Sequence, residues 1–287
     1  MTGEKRHLLI IDPQNDFCDL PAEYCPTLKE GMLLPALPVP GAHQDMLRMA
    51  KFIDQAGRWI DEITITLDSH QRVDIAHPAF WRQGDLPVAP FTQIYASDVR
   101  AGKYLPRDTN GFERVLSYLD VLENEGRYVH MVWPVHCEIG TWGHNVHIDV
   151  RFSYNAWEEK FIKNVGKISK GFNPWTEHYS AIRAEVPDPE DETTQLNKHF
   201  IAKLKQADQI FIAGEASSHC VKATTEHILE NMFPEEIRKL VLLIDCMSPV
   251  AGFEKQHQSF IESMQLRGVR IARSDEILKE SGVEGLS

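Results

Sequence analysis

The chain has no CxxC pair, no block of lysine or arginine, and no long apolar run. The first absence argues against a structural zinc cluster. The second argues against nucleic acid as a partner, since a basic patch is its usual footprint. The third excludes a membrane-spanning helix, which needs about 20 apolar residues. The opening "MTGEKRHLLIID" reaches an acid within a few apolar residues and lacks the core of a signal peptide, so a cytoplasmic location is expected. Internal repeats and low-complexity tracts are also missing.

What is present is an ordinary soluble composition with an acidic balance. Thirty basic residues against 42 acidic ones give a net charge of −12, which favours solubility rather than naming a partner. The cysteines are five and irregularly spaced: Cys18, Cys25, Cys137, Cys220 and Cys246. An odd, irregular set reads as free thiols in a reducing compartment.

Short Ile/Val/Leu-rich runs alternate with segments of helical period. "HLLIID", "EITITLD", "RYVHMVW", "QIFIAGE", "KLVLLID" and "GVRIAR" read as buried strands. "QDMLRMAKFIDQAGRWI", "GFERVLSYLDVLENEG", "TQLNKHFIAKLKQ", "SSHCVKATTEHILENM" and "FEKQHQSFIESMQLRG" read as helices. Strand followed by helix, repeated, predicts a doubly wound α/β fold: a mostly parallel sheet of about six strands with helices on both faces. Residues 1–287 are expected to form a single domain. Residues 78–110, rich in Pro, Gly and Asp, read as a long excursion near the site, a lid or an interface arm.

In such sheets ligands bind outside the carboxyl ends of the strands. The residues standing there are Asp12, Asp68 with His70, Trp133 with His136, and Cys220. Asp12 serves either as a turn residue or as an acid/base group, with Asp16 a rival in the same turn. Asp68 and His70 alternate onto one face and suit zinc, iron or manganese. A third ligand comes from His136, preferred because it follows a strand, or from His77. Lys170 is either a solvated surface charge or, if buried near Cys220, a stabiliser of its thiolate. Cys220 opens a helix, whose N-terminus favours a thiolate and offers N–H groups to an oxyanion. Read alone, it is equally a small buried filler, as Cys137 and Cys246 are expected to be.

Five motifs in order, "LLIIDPQNDFCD", "TLDSHQ", "WPVHCEIGTWGHNV", "SKGFNPWTEHYSAI" and "GEASSHCVKAT", resemble the isochorismatase-like cysteine hydrolases, and among them the nicotinamidase branch. The resemblance implies a catalytic triad of Asp12, Lys170 and Cys220. It implies an oxyanion hole from the N–H groups of Ala216 and Cys220, with a cis peptide before Ala216. Phe17 and Trp133 match aromatic walls of a small flat substrate pocket. Asp68, His70 and His136 match the ligands of one divalent metal, zinc first and iron or manganese as alternatives. His77 matches a position that supplies a ligand only in some members. The implied activity is hydrolysis of a small amide, nicotinamide to nicotinate, with another amide or a ureido or carbamoyl compound as the alternative and noncatalytic ligand binding a third reading. Homo-oligomers are usual among such proteins, and one is expected here.

The chain departs from that pattern at Glu215, where an apolar residue is more usual, at "SSH" before Cys220, and in the length of residues 78–110. Glu215 is expected to line or brace the pocket.

Overall fold

The computed structural model describes residues 4–282. Six strands make one sheet: β1 Arg6–Ile11, β2 Glu62–Asp68, β3 Gly166–Lys170, β4 Gln209–Gly214, β5 Leu240–Leu243 and β6 Arg270–Ala272. They lie in the order β3-β2-β1-β4-β5-β6, and all pairings are parallel. Leu8, Leu9, Ile10 and Ile11 of β1 and Ile212 and Ala213 of β4 are fully buried, as strands covered on both faces must be.

The helices are α1 Ala42–Ala56, α2 Ala96–Arg100, α3 Phe112–Glu125, α4 Ile148–Phe161, α5 Lys198–Lys205, α6 Cys220–Glu230, α7 Glu254–Leu266 and α8 Ser274–Glu280. They cover both faces of the sheet, with α1 packed against α4 and α8. None is long and apolar enough to cross a membrane.

The chain runs outward from β1 to β2 and β3, then returns to build β4, β5 and β6 on the other side of β1. The strand order therefore reverses between β1 and β4, and a crevice opens at their carboxyl ends. Gly214 allows these two ends to meet. Its φ is +114°, and a Cβ there would lie 1.9 Å from the Ile11 carbonyl oxygen, a distance no side chain tolerates.

The expected six-strand parallel sheet is present, but its membership differs by one. "RYVHMVW" yields a short strand, His130–Val132, that pairs antiparallel with Thr92–Ile94 outside the main sheet. The sixth place belongs to Gly166–Lys170 at the edge, whose exposed positions alternate with less exposed ones and dilute its apolar signal. Helix α4 was not expected either: its buried face is spaced out over Val150, Ser153, Tyr154 and Trp157.

Residues 78–110 are not an open loop. They form short strands and α2, and with α3 they enclose a second apolar cluster that includes Phe80, Trp81, Ile94, Val99, Leu119 and Leu122.

Candidate active site

Each expected catalytic group sits where a strand ends. Asp12 follows β1, Asp68 and Lys170 are the last residues of β2 and β3, and Cys220 is the first residue of α6, just beyond β4. Because β2 and β3 are in register, Asp68 and Lys170 are direct neighbours. Asp12, Asp68, Lys170 and Cys220 are all buried.

Lys170 is the hub. Its Nζ lies 2.9 Å from Asp12 Oδ2 and 2.9 Å from Asp68 Oδ1. It also donates to the His178 carbonyl at 3.0 Å and to Cys220 Sγ at 3.6 Å. Burial alone would lower its pKa, but Asp12 and Asp68 more than offset this, so the ammonium stays protonated. The surface-charge alternative for Lys170 does not hold. Asp12 has an unusual positive φ of 44°. Thr66 fixes it from both sides, its Oγ1 accepting from the Asp12 N–H at 3.0 Å and donating to Oδ1. Burial raises the Asp12 pKa, and Lys170 only partly offsets that.

The helix N-terminus and Lys170 favour a thiolate at Cys220, but other forces act against it. Burial pushes the thiol well above its ordinary value, Lys170 offsets part, and Asp12 and Asp68 push it further up. The ammonium charge is already shared between two carboxylates, so the resting group is the thiol beside a carboxylate of raised basicity. Neither the Ala216 nor the Cys220 backbone N–H donates a hydrogen bond among the described residues. The peptide between Glu215 and Ala216 is cis.

Asp16, the rival acid, is a loop clamp. Its two oxygens accept from the N–H groups of Ala36 at 2.9 Å and Cys137 at 2.7 Å. Its carboxyl fills the space beside Gly143, where a Cβ would come within 2.1 Å.

A second cluster lies against the first through Asp68. While Oδ1 faces Lys170, Oδ2 is 3.1 Å from His70 Nε2 and 3.4 Å from His136 Nε2. The ring nitrogens of His70, His77 and His136 lie within 4.8 Å of one another. His136 arrives by a different route from the one expected, since the strand before it is not in the main sheet. The segment after it runs beside His70 instead, with His70 N–H donating to Cys137 O at 3.1 Å and Ile139 N–H to His70 O at 3.1 Å. His77, at first only a possible ligand, stands inside the cluster.

This donor set fits a divalent transition ion: one carboxylate oxygen and three imidazoles, all buried. Burial lowers His77 to about 2, which keeps it a neutral, ligand-ready ring. Asp74, which the sequence reading missed, faces His70 Nδ1 at 3.1 Å and orients that ring, as outer carboxylates do at metal sites. Its position four residues after His70 was the available signal.

The aromatic residues divide between the two clusters. Phe17 packs on His136 with ring centres 5.4 Å apart. Trp133 donates from Nε1 to the Tyr179 hydroxyl at 3.1 Å and meets His219, next to Cys220, edge-on at 5.1 Å. A cavity of about 630 Å³ is lined by His219 together with Gln93, Tyr95, Tyr128, Lys222 and Phe253 among others. Gln93 and Tyr95 belong to residues 78–110, so that excursion supplies part of the cavity wall.

Glu215 does not line this cavity. It is fully buried and accepts from the Ser248 N–H at 3.1 Å. All five cysteines are free and buried.

No protein-family model matches the chain. The nicotinamidase of Saccharomyces cerevisiae is 25% identical over 141 residues, 49% of this chain and 58% of that protein. The match thus spans just over half of that relative. The solved yeast nicotinamidase aligns over 93% of this chain and 99% of its own, with a TM-score of 0.61 at 20% identity. A pyrazinamidase of Pyrococcus horikoshii, solved in complex with zinc, aligns over 94% and 99% at TM-score 0.54 and 18% identity. An isochorismatase-like hydrolase of Alkaliphilus metalliredigens aligns over 96% and 98% at TM-score 0.51 and 14% identity. The chain has the isochorismatase-like hydrolase fold. Its sequence likeness within that fold is to nicotinamidase.

Proposed function

We propose that the chain is a cysteine-dependent amidase that hydrolyses a small planar carboxamide to the acid and ammonia, with nicotinamide the leading substrate. The observation that carries this is Lys170: a buried ammonium held by Asp12 and Asp68 and touching Cys220 Sγ. A ligand-binding protein without chemistry has no use for that arrangement. The likeness to nicotinamidase supports the choice of substrate.

In this reading Asp12 takes the thiol proton of Cys220, and sulfur forms a bond to the carboxamide carbon. The two free N–H groups, of Ala216 and Cys220, receive the oxyanion. Asp12 returns the proton to nitrogen as the C–N bond breaks, releasing ammonia and leaving a thioester. Water then adds to the thioester carbon while Asp12 takes its proton. The C–S bond breaks, the acid departs, and Asp12 reprotonates the sulfur. Lys170 holds Asp12 in place and balances the charge on sulfur at both stages. Asp68, His70 and His136, with His77 beside them, would hold a divalent ion, zinc first, which supplies a fixed positive charge and Lewis acidity next to the cysteine. Phe17 and Trp133 would flank the ring of the substrate.

A second reading, another small amide or a ureido or carbamoyl compound, draws on the cavity lined by His219, which has room for more than a bare ring. Ammonia release across a panel of nicotinamide, pyrazinamide, aliphatic amides and carbamoyl compounds decides between them. Turnover of nicotinamide above the rest supports the first reading; silence on every compound contradicts both. That the chain forms a homo-oligomer belongs to this reading too, and light scattering checks it.

A further inference from the structure

Glu215 occupies a place where burial demands a neutral side chain, and the reason it is accepted lies in α1. Its Oε2 accepts from the Ser248 N–H at 3.1 Å. Its Oε1 is buried and receives no hydrogen bond from any donor among the described residues. Ser248 joins this carboxyl to that of Asp45, its N–H donating to Glu215 Oε2 and its hydroxyl to Asp45 Oδ2. Asp45 already accepts from Arg48 on one oxygen and from the Ser248 hydroxyl on the other. Two ionised carboxylates offer each other only acceptors, so they meet only through a proton.

Among the described residues named around the pair, none offers another neutraliser. Arg48 of α1 is the cation at the pair, and it is engaged with Asp45. Cys18 and Asp19 from the segment after β1 add negative charge or an apolar thiol. Asp245 and Cys246 after β5 do the same on the Asp45 side, next to Arg48. His257 of α7 is bonded to the Ser217 hydroxyl at 2.8 Å, and burial lowers its pKa.

The pair sits behind the turn that carries Ala216. Glu215 N–H donates to Ile11 O at 2.8 Å and Ser217 N–H to Ser248 O at 2.9 Å. The Ser218 hydroxyl accepts from the Val250 N–H at 3.1 Å. The first of these ties residue 215 to the end of β1, and the other two, with the Ser248–Glu215 bond, clamp residues 215–218 against residues 248–250.

We propose that Glu215 and Asp45 share one proton, and that this carboxyl pair is a positioning device that holds the Ala216 N–H in place for the oxyanion. The second half rests on the amidase reading above; the shared proton does not. Burial first, and Asp45 after it, hold Glu215 well above the usual carboxylate range, in keeping with the geometry.

The test uses the full chain as wild type, Glu215→Gln and Glu215→Leu, with two readouts. The first is melting temperature against pH, without substrate. A folded state that keeps a proton which the unfolded chain releases loses stability as pH rises above the ordinary carboxylate range. Gln donates to Asp45 without titrating, so Glu215→Gln should melt less steeply with pH, by up to one proton, and gain on wild type at alkaline pH. Parallel curves for the two proteins would overturn the shared proton. The second readout is kcat and KM on the best amide. Glu215→Leu should lower kcat by roughly tenfold with KM little changed, and Glu215→Gln should recover most of it. Equal kcat in all three, with Cys220→Ala inactive, would overturn the positioning role and leave the amidase reading standing. If Cys220→Ala keeps its turnover, the amidase reading fails and the melting curves still decide the proton. If Glu215→Leu does not fold, Glu215→Gln against wild type still decides the proton, and Asp45→Ala takes the place of Glu215→Leu in the kcat comparison: a roughly tenfold fall supports the positioning role, and a kcat equal to wild type overturns it.

Discussion

Lys170 and Asp68 end two neighbouring strands in register and meet at 2.9 Å, Nζ to Oδ1. The other Asp68 oxygen faces His70 at 3.1 Å. One carboxylate therefore belongs to both the cysteine cluster and the histidine cluster, and Lys170 neutralises it together with Asp12. Lys170→Met removes the cation and strands two buried carboxylates. Breaking such a pair costs about 3–5 kcal/mol. Urea unfolding should show that loss, and turnover should fall at least a hundredfold. Full stability in this variant would contradict the charge arrangement.

The histidine cluster predicts one divalent ion per chain. Elemental analysis of the purified protein should find it, and His136→Ala should lose it. Because an ion that binds only the folded chain stabilises it by mass action, a chelator should lower the melting temperature of wild type and leave His136→Ala unmoved. Identical responses to chelator would contradict metal binding at this cluster.

The resting thiol predicts slow alkylation. Only the thiolate reacts, and burial, with Asp12 and Asp68, holds Cys220 protonated well past its ordinary value. A small uncharged alkylating agent, with peptide mapping at Cys220, should label it at a rate that still climbs above pH 9. A plateau near neutral pH would instead mark a preformed thiolate–ammonium pair.

How much of this was legible in the sequence differs by kind. The strands β1, β4 and β5 declare themselves because buried parallel strands are continuous apolar runs, and β2 by its alternating β-branched residues. The edge strand Gly166–Lys170 does not, since its side chains alternate between neighbour and solvent. "RYVHMVW" carries the same signal as a sheet strand, and pairing with Thr92–Ile94 is a choice that local sequence does not encode. Cys220 was ambiguous by itself and became specific only beside the motifs of Asp12 and Lys170. The contact between Lys170 and Asp68 depends on the register of strands far apart in the chain. The same holds for Glu215: nothing near it in sequence announces Asp45, so an acid in the core looked like an unexplained departure.

Glu185 gives the pH dependence of stability a second source. It is buried, neither of its oxygens accepts a hydrogen bond among the described residues, and burial raises its pKa from 4.5 to about 7 even though Arg127, Arg183 and Lys222 pull it down. Its folded pKa lies above its unfolded one. The stability it contributes is therefore full below pH 4.5 and is lost as pH rises towards 7. Glu185→Gln should flatten the fall in melting temperature across that window; an unchanged slope would show that the group is ionised in the folded chain.

The central claim is that Cys220 is the nucleophile of an amide hydrolysis. It is tested most directly by mixing wild type and Cys220→Ala with nicotinamide, following ammonia release and the intact mass of the protein together. The account predicts ammonia and a transient acyl adduct on wild type, and neither on a Cys220→Ala protein that melts normally. Undiminished ammonia release by Cys220→Ala would contradict it.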